Sequence, residues 1–93
     1  MNVGLCIVEI HLSASHSLKE KRAVLLKVRD RLRGRFNVAI AELDHQDVWQ
    51  RATLGIVSIS DSQKYLDGLF QKVLAEIEKV LGEDVADHNI EYF

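Results

Sequence analysis

Four cations in the first half of the chain share the spacing of one helix face. With one leucine among them, their positions are separated by 3, 4, 3 and 4 residues: Lys19, Arg22, Leu26, Arg29 and Arg33. Like charges at such spacings repel one another by a few tenths of a kcal/mol per pair. A polyanion would relieve this repulsion, so the pattern favours a surface that binds phosphates, of RNA before DNA. The alternative is a solvated face that pairs with acids of the same domain or of a dimer mate. We call the four cations the basic stripe.

The charges are distributed unevenly along the chain. Residues 19–35 hold eight basic and two acidic side chains, a net charge of +6, whereas the other 76 residues hold four basic and twelve acidic ones. The overall net charge of -2 therefore hides one basic element on an acidic body. A polyanion could bind only on the basic side.

The polar segment 44–51 supplies two further candidates for nucleic-acid contacts. Trp49 stands beside Gln50 and Arg51, and an indole at a loop tip is often an anchor, either on the edge of its own domain or in a partner. Arg51 would extend the basic surface. We therefore predict that Trp49 and Arg51 add to the nucleic-acid contacts of the basic stripe.

Acidic and imidazole side chains lie just before the first helix and within the same polar segment. His16, Asp44, His45 and Asp47 have the donor types that divalent metals prefer, but no two of them have the spacing that fixes a ligand pair in one element. Hydrogen-bonded loop structure is the favoured interpretation. Ser17, His16 and Asp44 also have the residue types of a hydrolase triad. However, Ser17 is not flanked by the glycines of a strained nucleophile turn, so the sequence does not favour a hydrolase.

The remaining reactive side chains point to structural roles. We expect Cys6 to be a buried thiol in mid-strand, and His11 and His88 to be partly buried strand imidazoles. The start of the first helix, with Lys19, Lys21 and Arg22 and with Arg51 as a further candidate, is an alternative anion site. We assign no catalytic residue, cofactor or metal, and predict that the protein is not an enzyme.

Hydrophobic periodicity predicts the elements that position these residues. The first and third strands are apolar at both parities, which indicates central strands, and both helices carry an inward apolar stripe that in the first comprises Leu18, Leu25, Val28 and Leu32. Ser17 and Glu20 form a capping box. The predicted elements are strand 3–12, a helix from residue 18 to Gly34, strands 36–43 and 52–60, a helix capped by Ser60, Asp61 and Gln63 that ends at Gly82, and strand 85–93.

This order predicts an α+β, ferredoxin-like βαββαβ fold in a single domain, residues 1–93. Its four-stranded antiparallel sheet would have the order fourth, first, third, second strand, with both helices on one face. We expect the open face to carry Val3, Leu5, Ile7, Leu54 and Ile56. A homodimer through this face is the leading explanation for such a patch, with a small-ligand site or plain exposure as alternatives. The third strand lacks the aromatic residues with which an RNA-reading sheet stacks bases.

Several motifs together resemble those of the YlxP-like family of small bacterial proteins, a domain-of-unknown-function family. They are the run His16 to Arg22 (HSLKEKR), the run Arg35 to Val38 (RFNV), Ala41-Glu42, Asp44, Asp47, the run Trp49 to Ala52 (WQRA) and Gly55. The resemblance spans the chain and implies a ferredoxin-like fold and a gene setting near translation-initiation and ribosome-maturation factors. It implies no chemistry.

These observations together predict an RNA- or ribosome-associated accessory protein that binds through the basic first helix, with ribosomal RNA or a ribosomal particle as partner. The alternative is a dimeric module that binds a protein or a small acidic ligand at the His16 and Asp44 end. No apolar run is long enough to span a membrane, and the N-terminal segment lacks the basic flank of a signal peptide. We therefore expect a cytoplasmic protein without membrane contact.

Overall fold

The computed structural model describes all 93 residues and contains six main elements. Their order, βαββαβ, confirms the fold predicted from the sequence. A short 3-10 turn, Gly82–Asp84, precedes the last strand. The elements are β1 (Asn2–His11), α1 (Leu18–Arg35), β2 (Ala39–Asp44), β3 (Arg51–Ser60), α2 (Gln63–Leu81) and β4 (Val85–Tyr92).

The four strands form one sheet in the order β2-β3-β1-β4, in which every neighbouring pair is antiparallel. This is the strand order that the sequence predicts, with the two 10-residue apolar strands in the centre. Since β1 and β2 are both antiparallel to β3, they are parallel to each other, and the loops that follow them leave the sheet at the same end. The Leu12 N–H donates a hydrogen bond of 2.8 Å to the Gln50 carbonyl oxygen and joins the two loops.

The pairing of β1 with β3 decides which side chains face the helices. Cys6 lies opposite Ile56 and Val8 lies opposite Leu54, and all four are buried under the helices. The expectation that Leu54 and Ile56 lie on the open face is therefore wrong. Because β3 is apolar at both parities, its sequence alone cannot tell which set faces inward. The open face carries Val3, Leu5 and Ile7 as predicted, with Gly55, Val57 and Ile59 of β3 beside them.

The two helices contribute unequally to the core. Eight residues of α2 are buried, including Phe70, Val73 and Ile77, whereas only three residues of α1 are buried. Of the predicted inward stripe of α1, Val28 and Leu32 are buried and the other two leucines are half-buried. Most of α1 is thus left as surface. Neither helix has the length and hydropathy needed to cross a membrane.

The helix ends follow the predicted caps with three differences. The Glu20 N–H donates to Ser17 Oγ at 3.1 Å as a capping box requires, but the Glu20 carboxylate accepts from the His16 N–H instead of the Ser17 N–H. Helix α1 continues past Gly34 to Arg35, and β2 begins at Ala39 instead of at residue 36. The N-cap of α2 is Ser62, whose Oγ accepts from the Tyr65 N–H, and not the predicted Ser60, Asp61 and Gln63. As predicted, α2 ends at Gly82, which has a φ of 55°.

The close approach of Gly4 to Phe70 in the core allows this packing to be tested. A Cβ at Gly4 of β1 would collide with the buried ring of Phe70, so Gly4→Ala should lower the free energy of unfolding by about 1 to 3 kcal/mol. Gly68→Ala is the control, since a Cβ on the exposed face of α2 meets nothing within 4 Å and should stabilise the helix by about 1 kcal/mol. Urea unfolding of both variants measures the difference. Equal stabilities would contradict the packing of Phe70 on Gly4.

Candidate nucleic-acid interface

The structure divides the eight cations of the basic segment into two groups. Three of them pair with acids from other elements. Lys21 Nζ lies 2.8 Å from Glu42 Oε2. Arg31 Nε and Arg35 Nη1 lie 2.7 Å and 3.3 Å from the two oxygens of Glu76. The second group remains exposed on α1: Lys19, Arg22, Lys27, Arg29 and Arg33.

All four residues of the basic stripe belong to the exposed group. Only Arg29 has an acid within 4.0 Å, and its contact with Asp30 is 3.9 Å long between two well-exposed side chains. Such a surface ion pair contributes little to the stability of the fold. From Lys19 to Arg33 the stripe extends for about 21 Å at the helical rise of 1.5 Å per residue. Four cations with no strong partner within the domain thus lie along one exposed helix.

The basic stripe borders a groove between α1 and β2, which is an edge strand of the sheet. The groove has a volume of about 280 Å³ and is lined mainly by apolar side chains. Its one acidic residue, Glu42, already holds the Lys21 ammonium and does not neutralise the two arginines on the α1 side. The lining residues are Arg22, Leu25, Leu26, Arg29, Ile40, Ala41, Glu42 and Leu54.

Lys21 does not belong to the exposed cationic surface. Its side chain is fully buried and donates to Glu42 Oε2 at 2.8 Å and to the His45 carbonyl oxygen at 2.7 Å. Two longer hydrogen bonds of 3.3 Å reach the carbonyl oxygens of Gln46 and Arg51. The suggestion that Lys21 supports an anion site at the start of α1 is therefore wrong. Its ammonium group instead holds the loop between β2 and β3.

The burial of Lys21 had a signal in the sequence that the apolar pattern alone misses. The inward stripe of α1 steps from Leu18 to Leu25, and a spacing of 3 and then 4 residues places position 21 between them. A lysine at this position is nevertheless predicted to be exposed, because a lysine side chain is almost never buried without a partner. The partners, Glu42 and the loop carbonyls, lie 21 to 30 residues away in the chain.

Trp49 and Arg51 are exposed but do not join the basic stripe as one continuous element. Trp49 lies in the β2–β3 loop with 51% of its surface exposed, and no aromatic ring packs on it. Arg51 begins β3, and because Ala52 points to the core, the Arg51 side chain emerges on the open side of the sheet. The structure therefore separates Arg51 from the α1 surface.

The structure does not bring together the candidate metal ligands suggested at the loop end, where the β1–α1 and β2–β3 loops leave the sheet. No group of three or more His, Cys, Asp or Glu side chains is placed to hold a metal ion. Of the four suggested ligands, only Asp44 and His45 approach each other, with Oδ2 and Nε2 at 4.0 Å. The Ser17 hydroxyl caps α1 and has no hydrogen bond to His16.

The strand residues expected to be buried behave differently from one another. Cys6 is fully buried as predicted, and burial raises the pKa of its thiol to about 11. His11 and His88 are exposed, so the expectation that they are partly buried is wrong. Both lie at the margin of the sheet, His11 at the end of β1 and His88 on edge strand β4, where the helices do not cover them.

Glu76 is the acid that pairs with two arginines of α1. It is buried between the helices and accepts hydrogen bonds from Arg31, Arg35 and Lys79. The hydrogen bonds from Arg31 and Lys79 are the main causes that lower the pKa of the Glu76 carboxyl from 4.5 to about 2. Its charge therefore persists in acid and holds α1 against α2.

With this geometry established, comparison with known proteins places the chain in a family. A family model described as "Protein of unknown function (DUF503)" matches residues 3–90. The chain belongs to this family. "Uncharacterized protein YlxP" of Bacillus subtilis (strain 168) is 41% identical over 76 residues, which cover 82% of this chain and 83% of the relative. The resemblance to YlxP-like proteins is thus confirmed, and neither description assigns an activity to the DUF503 family.

Solved structures show the same fold at low sequence identity. A de novo designed protein with a ferredoxin fold has a TM-score of 0.56 at 13% identity, over 100% of this DUF503 chain and 83% of the other. A dimeric ferredoxin-like protein of unknown function from Thermobifida fusca gives 0.53 at 9% identity, over 98% and 90%. A Bordetella bronchiseptica protein proposed to be an antibiotic biosynthesis monooxygenase gives 0.51 at 20% identity, over 100% and 96%. These likenesses confirm the ferredoxin-like fold.

Loss of the Lys21 ammonium should destabilise the loop end. Lys21→Met removes the charge and leaves Glu42 and three carbonyl oxygens without their donor, which should cost about 3 to 5 kcal/mol in the free energy of unfolding. Lys27→Met changes an exposed lysine of the same helix and should change stability by less than about 0.5 kcal/mol. Urea unfolding at neutral pH compares the two variants. Similar small losses for both would show that Lys21 does not hold the loop.

Glu76 should make the stability of the protein sensitive to acid. The pKa of the carboxyl is about 2 in the folded chain against 4.5 ordinarily, so its stabilisation is complete above pH 4.5 and is lost as the pH falls towards 2. The wild type should therefore lose more stability across this range than Glu76→Gln, as urea midpoints at successive pH values would show. Glu78→Gln, at an exposed position without an ion pair, should keep the wild-type profile. A Glu76→Gln profile parallel to the wild type would refute the assignment.

Proposed function

We propose that this protein is a cytoplasmic, non-enzymatic accessory protein that docks on structured RNA, such as ribosomal RNA in a ribosomal particle, through the basic stripe. The observation that carries this proposal is the selective pairing of the basic segment. Lys21, Arg31 and Arg35 are satisfied by Glu42 and Glu76, whereas the basic stripe remains exposed on a chain whose net charge is -2. The exposed cations repel one another until an anion binds.

The chemistry of the stripe fits phosphate groups in particular. Three of its four members are arginines, whose planar guanidinium groups donate paired hydrogen bonds to phosphate oxygens. Contacts of this kind position a protein on RNA without reading its sequence.

The gene setting implied by the family resemblance supports RNA over DNA, because translation factors act on RNA. The alternative function, a regulatory module that binds a small acidic ligand at the His16 and Asp44 end, has less support. His16 is exposed, and the Lys21 ammonium group at that end already donates to Glu42 and to the loop carbonyls, so it is not available to an acidic ligand. Thermal stabilisation by a particular small acid at constant salt would favour this alternative.

Charge reversal of the basic stripe tests the proposal. The purified protein is titrated with ribosomal RNA and with small ribosomal subunits over a salt series. Wild-type binding should weaken steeply with salt, by about one power of salt concentration for each phosphate contact. The variant Arg22→Glu, Arg29→Glu, Arg33→Glu should lose binding at every salt concentration while its circular dichroism spectrum remains that of a folded protein.

A matched variant separates the stripe from net charge. Lys27→Glu, Lys64→Glu, Lys72→Glu reverses three exposed lysines outside the stripe and changes the net charge by the same amount. This variant should retain most of the binding. Equal losses in both variants would show that general charge attracts the RNA, and absence of wild-type binding at low salt would overturn the proposal.

A further inference from the structure

The face of the sheet opposite the helices presents an uncovered apolar surface. The central strands and β2 direct aliphatic side chains to it, and several of them are strongly exposed: Ile59 at 58%, Leu43 at 48% and Val57 at 36%. Leu43 lies across Gly55 of the neighbouring strand and continues the surface to the sheet edge. We call this surface the open face, with its apolar centre formed by Val3, Leu5, Ile7, Ala39, Ala41, Leu43, Val57 and Ile59.

The open face is large enough for a stable contact between two proteins. Four strands about 4.8 Å apart, over about eight residues at about 3.3 Å each, give a projected area of roughly 500 Å². Two such faces would bury about 1,000 Å² or more, which reaches the lower bound of specific interfaces. Its apolar centre covers the part of this area outside β4, and apolar patches of several hundred Å² on a monomer are often functional.

The distribution of charge favours a second copy over other occupants. The apolar centre contains no charged side chain, and acids lie along the β4 side, at Asp87 and Glu91, and at Glu9 of β1. These three acids outnumber Arg51 on this face and repel a polyanion, so RNA is not favoured here. An apolar centre, by contrast, is complementary to itself, as an interface with two-fold symmetry requires.

The charges at the rim also indicate how two copies would be oriented. A two-fold axis parallel to the strands lays β1 of one subunit on β3 of its mate and β2 on β4, because the sheet order is β2-β3-β1-β4. This arrangement keeps the two acidic β4 edges apart. It also brings Arg51, which emerges on the open face, towards the partner subunit's Asp87.

We propose that two copies of this chain form a homodimer by packing their open faces together. The helices then lie on the two outer sides of the dimer, and both basic stripes stay accessible. The dimer rests on the apolar face alone and does not depend on the proposed RNA binding. It gives the exposed Val57 and Ile59 a packing role that no residue of the same chain supplies.

Sedimentation equilibrium tests the dimer. The subunit mass is 10.6 kDa, and the wild type should sediment with twice that mass at micromolar concentrations. Ile59→Asp places a carboxylate in the apolar centre at a side chain that is 58% exposed in the single subunit, so the subunit should still fold. Burying these charges should weaken the dimer on the order of a hundredfold or more, and the variant should sediment as a single subunit.

Leu26→Asp is the matched control, because Leu26 is similarly exposed, at 46%, but lies on α1. This variant should remain a dimer. A wild type that sediments as a single subunit over the whole concentration range would overturn the proposal. So would an Ile59→Asp variant that dimerises as tightly as the wild type, or equal dissociation of both variants. Failure of the RNA titration with an intact dimer would reject the proposed function alone.

Discussion

The Lys21 ammonium group is the contact on which the loop end of this fold depends. It is fully buried, so its charge must be met by the Glu42 carboxylate and by loop carbonyls, and it reaches them from the inward side of α1. Together with Val28 and Leu32 it determines the rotation of α1 about its own axis. A helix turned in this way presents Arg22 and Arg29 outward beside β2. One inward cation therefore orients the outward ones.

The acidic body of the domain neutralises only part of the basic helix α1. Glu76 of α2 pairs with Arg31 and Arg35 of α1, and its carboxylate stays ionised in acid mainly because of the hydrogen bonds from Arg31 and Lys79. The cations in the charge pairs that stabilise the fold are thus different residues from the cations left for binding. A protein with a net charge of -2 can in this way keep a continuous cationic surface.

The unequal roles of the helices and of the sheet faces follow from the same layered architecture. Helix α2 supplies most of the helical core, so α1 can remain mostly solvent-exposed and carry charges. The two helices cover one face of the sheet and leave the other apolar. The proposed RNA surface and the proposed dimer surface therefore lie on opposite sides of the subunit and do not compete for the same residues.

The sequence by itself determined the order of the elements, the Ser17 cap, the end of α2 at Gly82 and the central positions of β1 and β3. Each of these depends on neighbouring residues or on hydrophobic periodicity, which are local properties. Tertiary structure decided that Leu54 and Ile56 face inward, because β3 is apolar at both parities and only its register with β1 distinguishes them. It also decided that Lys21 is buried and that Arg31 is paired. Their partners lie 21 and 45 residues away along the chain, and a local pattern carries no information about contacts at that separation.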